Sequence, residues 1–176
     1  FIERARNPVT TGWPKIDKIT KGGLGQGELV VVVAPTGAGK SHVLVHLGAQ
    51  ALKQGKNVVH FTLELADTAV AQRYDACLTG VQLDDLMNQK DAIYETVKDI
   101  DGQLIIKEFP TKSASCVTLK THLEKIRQTE MEIDMIIVDY GDLLKSSTVR
   151  KNSEKRHELE SIYEELRGLG QEIGCP

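Results

Sequence analysis

Short apolar runs alternate along the chain with longer stretches in which apolar residues recur every three to four positions. Residues 28–33 (ELVVVV), 57–63 (NVVHFTL), 104–109 (LIIKEF) and 135–138 (MIIV) are the short runs. All four read as strands; the first and the last are apolar on both faces, which suits the buried centre of a parallel sheet. Helical spacing falls between them. The spacing predicts helices over 40–53, ended by Gly55, and over 67–78, capped by Asp67 and stopped by Gly80. Residues 83–100 read as helical with a break near Asn88, and Pro110 closes the third strand. A helix over 118–128 carries Leu119, Leu123 and Ile126 on one face. After a polar loop at 144–153, Ser153 caps a last helix whose Leu159, Ile162, Tyr163, Leu166, Leu169 and Ile173 keep helical spacing. Residues 1–20, with Pro8, Gly12 and Pro14, read as an irregular lead-in, and Gly22, Gly23, Gly25 and Gly27 punctuate the turn before the first strand.

Strands alternating with helices call for an α/β domain: a mostly parallel sheet with helices on both faces. Its 176 residues suit one such domain, 1–176. The last helix should feed a further strand, so the domain reads as partial, with its C-terminal strands missing. A net charge of −3 excludes a protein coated in basic surface but not a local basic loop. No apolar run reaches the ~18 residues of a membrane span, and no signal-peptide pattern opens the chain. Cys77, Cys116 and Cys175 are odd in number and widely spaced. They fit free thiols of a reducing, cytoplasmic compartment better than a disulfide framework or a zinc site.

The strongest chemical signal is Ala34-Pro35-Thr36-Gly37-Ala38-Gly39-Lys40-Ser41. It follows a predicted strand and opens a predicted helix, and it matches the phosphate-binding P-loop GxxxxGK[ST] except that Ala34 takes the first glycine's place. Gly37 and Gly39 let the backbone curl so that N–H groups point at phosphate oxygens. The helix start adds its positive end. Lys40 can reach the β- and γ-phosphates, and the Ser41 hydroxyl can join the shell of a Mg²⁺ ion.

Two carboxylates stand at predicted strand ends. Asp139 closes MIIVD and can hold Mg²⁺ through water. Glu64 closes FTLE and can orient and deprotonate an attacking water. Parallel strands end on the ligand-binding edge of such a sheet. Each residue also has a plainer reading, as a strand-end cap or a solvated carboxylate.

Together these residues resemble the motor core of the DnaB-like replicative helicases, which share a RecA-like P-loop NTPase fold. The resemblance runs from about Thr11 to Pro176. TGWPKIDKITKGGLGQGELVVVVAPTGAGKS is similar to the family's entry segment and P-loop, FTLELADTAVAQR to its second-strand motif, and MIIVDYGDLL to its metal-binding strand. ELRGLGQEIGCP resembles the helix that leads into the next core strand, and SSTVRKNSEKRHELESIYEELRGLG is most similar to bacteriophage versions. The resemblance implies ATP hydrolysis, with Mg²⁺, coupled to movement along single-stranded DNA in a hexameric ring, with primase and a helicase loader as partners. It makes Lys40 and Ser41 the P-loop pair, Asp139 the Mg²⁺ aspartate and Glu64 the catalytic glutamate. Arg73 matches a recurring arginine without an assigned role; a helix-surface ion pair is the plain alternative. The family's γ-phosphate-sensing glutamine and its arginine finger, used by the neighbouring subunit, would lie beyond Pro176. The isolated chain is therefore expected to bind nucleotide and to hydrolyse it slowly.

Weaker constellations stand beside these. Lys145, Arg150, Lys151, Lys155 and Arg156 put five positive charges within twelve residues, as a DNA-facing loop would. A solvated charged loop fits them equally well, and no stacking aromatic interrupts them. His42 and His46 share a helix face, yet Val43 stands where a metalloprotease HExxH needs glutamate. Asn88-Gln89-Lys90-Asp91 has the wrong order for a guanine-reading NKxD. Trp13 and Tyr140 read as packed aromatics, with contact to a base or a neighbouring subunit as the alternative. The competing functions are a RecA-like recombinase or regulatory ATPase on the same fold, a small-molecule kinase, for which no arginine-rich lid precedes residue 150, and a nucleotide-binding interaction module.

Overall fold

The computed structural model describes residues 6–146 and 155–176. Three strands, β1 (Val58–Thr62), β2 (Leu104–Glu108) and β3 (Met135–Asp139), form one parallel sheet in the order β2-β1-β3. The helices are α1 (Pro14–Ile19), α2 (Lys40–Lys53), α3 (Asp67–Thr79), α4 (Lys90–Val97), α5 (Cys116–Arg127) and α6 (Lys155–Ile173). Short 3₁₀ turns cover Leu83–Asn88 and Gly141–Leu143.

Side-chain alternation along the central strand builds the two layers. Val59, Phe61 and Leu63 enter one core with Leu119, Leu123 and Ile126 of α5 and Ile162, Leu166 and Leu169 of α6. Val58 faces the other way, into a core with Val45 and Leu52 of α2, Val70 and Tyr74 of α3, and Met135 and Ile137 of β3. All five residues of β1 are buried, the polar His60 and Thr62 included. Each fully buried side chain of this size adds roughly 1.5–3 kcal/mol.

Most predicted elements are present with ends shifted by a residue or two. Three expectations change. Residues 1–20 are not wholly irregular: Pro14 opens α1, where its fixed φ suits the first helical turn. Asp67 is the first residue of α3 rather than its cap; Ala66 occupies the cap position, and the Asp67 carboxylate accepts from the N–H of Thr68 at 2.6 Å. α5 begins earlier than expected because Ser115 and Thr118 form a reciprocal capping box. Ser153 and most of the polar loop lie outside the described residues.

The largest departure is the first predicted strand. Residues 28–33 pair with no strand among the described residues. They face the outer edge of β3 across a cavity of about 140 Å³, lined by Leu29–Val32 on one side and Met135–Asp139 on the other. Residues 175–176 bridge the two sides at one end: Gly27 N–H donates to the Cys175 carbonyl at 3.3 Å, and Ile136 N–H to the Pro176 carbonyl at 2.9 Å. A run apolar on both faces needs a hydrogen-bonded neighbour to become an inner strand. Without one here, the valines stay partly open to solvent, Val33 at 87% exposure.

Candidate nucleotide-binding site

The loop 34–41 turns sharply between residues 28–33 and α2. Gly37 and Gly39 hold φ of 78° and 90°, and a Cβ on either would meet nothing within 4 Å. Glycine is required here for its left-handed backbone, not for space. Gly39 caps α2, whose first N–H groups have no partner within the helix. Ala38 N–H donates to the Pro35 carbonyl at 3.2 Å, closing the turn. The Lys40 ammonium folds back over the loop and donates to the carbonyls of Ala34 at 3.0 Å and Pro35 at 3.2 Å. A ligand's phosphate offers that ammonium a stronger, charged acceptor.

The two strand-end carboxylates reach this edge through β-sheet register. Thr62 of β1 pairs with Asp139 of β3, and Leu63 N–H donates to the Asp139 carbonyl at 2.8 Å. The chain then buckles: the Thr62 hydroxyl donates to the Leu65 carbonyl at 2.8 Å and accepts from Leu65 N–H at 3.1 Å. Glu64 is left exposed at the tip of that buckle. It lines one cavity of about 550 Å³ with Ala34, Thr36, Gly37, Gly39, Lys40 and Ser41. Pro35 and Ala38 shape the loop without lining that cavity. Asp139 lies behind, 1% exposed, in the adjoining apolar cavity; Lys40 and Tyr140 line both.

Asp139 Oδ2 is buried with no hydrogen-bond partner among the described residues. A buried carboxylate oxygen without a donor is costly, and a hydrated divalent cation would satisfy it. No group of three or more His, Cys, Asp or Glu side chains gathers among the described residues. Asp139 and Ser41 are the oxygens that could hold Mg²⁺, an ion that keeps waters and takes ligand phosphates beside one or two protein oxygens.

Four residues that line this cavity carried little or no signal in the sequence: His42, Arg73, Asp142 and Tyr163. The Tyr163 hydroxyl on α6 donates to Asp142 Oδ1 at 2.7 Å, and burial, then Asp142, pushes the Tyr163 hydroxyl up to about 12. The VDYGDLL stretch held Asp142 in plain view, but no pattern pairs it with a tyrosine on a distant helix. Tyr140 lines the cavity, as an aromatic near a ligand would. Trp13 instead stacks on His46 with ring centroids 4.1 Å apart, and His46 Nε2 lies 2.9 Å from the Thr11 carbonyl, so both rings strap the lead-in to α2. Lys145 is exposed and its N–H donates to the Ala114 carbonyl at 2.9 Å. Arg150 and Lys151 lie outside the described residues. No helix among the described residues is long and apolar enough to cross a membrane.

A P-loop opening a helix, with two carboxylates at the ends of neighbouring parallel strands, defines the class: a RecA-like α/β nucleotide-binding core. The chain belongs to the family of the DnaB-like helicase C-terminal domain, whose model matches residues 8–176. It is 35% identical over 167 residues to the DnaB-like replicative helicase of Enterobacteria phage T4, covering 89% of this chain and 35% of that protein. It is 25% identical over 173 residues to the replicative DNA helicase DnaB of Helicobacter pylori, covering 96% of this chain and 35% of that one. The chain thus spans about a third of these relatives' length. Among solved structures, a DnaB-like replicative helicase described with its interactions with primase superimposes with a TM-score of 0.78 at 13% identity, covering 96% of this chain and 41% of the other. A second solved structure, described as an ATPase domain, superimposes with the same score and identity, covering 96% of this chain and 61% of the other.

Proposed function

We propose that the chain is the ATP-hydrolysing motor core of a replicative DNA helicase, and that it works on single-stranded DNA as part of a hexameric ring in the cytoplasm. One observation supports this reading: Asp139 pairs in register with Thr62, two residues before Glu64, and Lys40 lines both the cavity of Asp139 and the cavity of Ser41 and Glu64. Family membership supports ATP as the nucleotide and DNA unwinding as the work. Primase is a natural partner, given the solved relative described with it, and a helicase loader is a second.

In the proposed mechanism, the N–H groups of loop 34–41 and the start of α2 grip the phosphates. Lys40 leaves the Ala34 and Pro35 carbonyls for the β- and γ-phosphates. Ser41 and Asp139 would hold Mg²⁺, which when bound would supply positive charge to the phosphate oxygens. Glu64, exposed at the rim, takes the proton of the attacking water, a role worth roughly 10²–10⁴ in rate. Lys145 supplies a phosphate contact to the DNA strand; Arg150 and Lys151 extend the same basic stretch in sequence.

The deciding experiment is the ATPase rate of the chain within its longer protein, with and without single-stranded DNA, beside Lys40→Ala. The expected result is a DNA-stimulated rate that falls at least about 10²-fold in the variant. A Lys40-dependent rate indifferent to DNA would point to the second reading, a regulatory ATPase on the same fold. Pairing of two DNA strands without unwinding would mark a recombinase.

A further inference from the structure

Accepting Asp139 as the aspartate that would hold Mg²⁺, we infer that His60 is a positioning residue for it: the ring, aimed by the Tyr74 hydroxyl, donates from Nε2 through one buried water to Asp139 Oδ2. Among the described residues, two buried side-chain atoms lack a hydrogen-bond partner, and they are these two, His60 Nε2 and Asp139 Oδ2. Strand register puts both side chains on one face of the sheet. His60 pairs with Ile137, and Asp139 stands two residues further along β3, so both leave the sheet on the side of α2 and α3, as Val58 and Met135 do. His60 is 0% exposed and Asp139 1%. An orphaned polar atom at that depth is costly. A donor and an acceptor on neighbouring strands of one face can satisfy each other, and a single water spans a gap too long for a direct bond.

The hydrogen bond on the other side of the ring decides which atom donates. The Tyr74 hydroxyl of α3 lies 2.9 Å from His60 Nδ1, and the two rings meet edge to face at 5.7 Å. Gly48 of α2 makes room for that hydroxyl, since a Cβ there would collide with it. If Nδ1 carried the hydrogen, the hydroxyl hydrogen would have no acceptor among the described residues, and the Nε2 lone pair would face a carboxylate. With the hydroxyl donating to Nδ1, Nε2 keeps the hydrogen that Asp139 Oδ2 needs. Burial holds the ring neutral, and the charge of Asp139, after burial and Cys77, helps push the Tyr74 hydroxyl up, so the three groups feel one another. A carboxylate oxygen has two lone pairs. Oδ2 can therefore take the internal water and still meet a hydrated cation from the cavity that Asp139 lines with Lys40. Partners behind a metal-binding carboxylate fix its orientation.

The test reads the ring first and the metal second. Long-range ¹H–¹⁵N NMR of the wild-type chain, without nucleotide or metal, should show His60 neutral with its hydrogen on Nε2, and Asp139→Asn should shift that signal. A hydrogen on Nδ1 would overturn the inference outright. Mn²⁺, standing in for Mg²⁺, is then titrated onto the ADP-saturated chain. His60→Leu removes the donor and should weaken Mn²⁺ about ten-fold or more, with metal-free ADP affinity changed by less than about two-fold. His60→Gln carries an amide that can donate in the same place and should return Mn²⁺ to within about three-fold of wild type. Tyr74→Phe releases the tautomer and should fall between the two. Unaltered Mn²⁺ affinity in His60→Leu would overturn the positioning role. So would parallel loss of Mn²⁺ and metal-free ADP binding in all three variants, the mark of a merely structural histidine. If His60→Leu does not fold, Tyr74→Phe carries the same test, and wild-type Mn²⁺ affinity in it would overturn the aiming of the ring. Failure of the wild type to bind ADP would sink the nucleotide reading instead, and the Nε2 hydrogen would then mark a core contact with no metal to position.

Discussion

The two halves of the nucleotide site are built on different principles. Asp139 ends β3 in register with Thr62, Glu64 follows two residues after β1, and β1 is buried along its whole length. The P-loop rides on residues 28–33, which pair with no strand among the described residues and leave their valines partly exposed. A carboxylate that must meet a metal or a water needs a rigid platform. A phosphate grip made of backbone N–H groups gains its shape from glycine φ values, so its own support can be looser. Stability should therefore be concentrated behind the carboxylates and sparse behind the loop.

That contrast is broken most directly by Phe61→Ala. Phe61 is buried on β1, with ring centroids 5.9 Å from Phe109 and 5.8 Å from His122. Truncation should cost about 3–5 kcal/mol, read as a lower denaturant midpoint with an unchanged slope. A cost below about 1 kcal/mol would mean that the platform is not where this fold stores its stability.

A similar weight falls on His60, through pH. Burial lowers its pKa from 6.5 to about 4, so the folded protein holds the ring neutral. Below pH 6.5 the unfolded chain takes up a proton that the folded chain refuses until about pH 4. Stability from this group is complete above 6.5 and is lost as pH falls through that window, by about 3 kcal/mol in all. Unfolding curves from about pH 7.5 to about pH 4 should show this slope. His60→Gln should be less stable at neutral pH yet flatter across the window. An equal slope in the variant would assign the acid sensitivity to carboxylates.

Much of this was legible in the residues. The P-loop reads from spacing alone, because its chemistry needs glycine, lysine and serine at fixed positions along one turn. Asp139 and Glu64 read almost as well, because an apolar run ending in a carboxylate is a local signal. Arg73 was legible as a position, and only the folded chain shows that it lines the cavity with no ion pair among the described residues. The buried contact of the Tyr74 hydroxyl with His60 and Gly48 was not legible at all. Its members stand on three elements, and each alone looks like ordinary strand or helix content. Residues 28–33 failed in the opposite sense: ELVVVV carries a strong strand pattern, but pairing is a property of neighbours that periodicity does not contain.

The smallest effect gives the sharpest test, because it uses one substitution at two valines. Valine to threonine keeps the shape and adds a hydroxyl. At Val59, fully buried on β1, the hydroxyl would enter an apolar core between the sheet and α5, and the expected cost is about 1–3 kcal/mol. At Val30, 47% exposed beside the cavity along β3, water can reach the new group, and the expected cost is below about 0.5 kcal/mol. Both are read from denaturant midpoints of the same chain, so systematic error cancels in the difference. Matching costs would mean that residues 28–33 are packed as an inner strand in solution, and that the P-loop stands on the same rigid platform as the carboxylates. A near-zero cost at Val30 would locate the loose support of the loop in residues 28–33, which pair with no strand among the described residues.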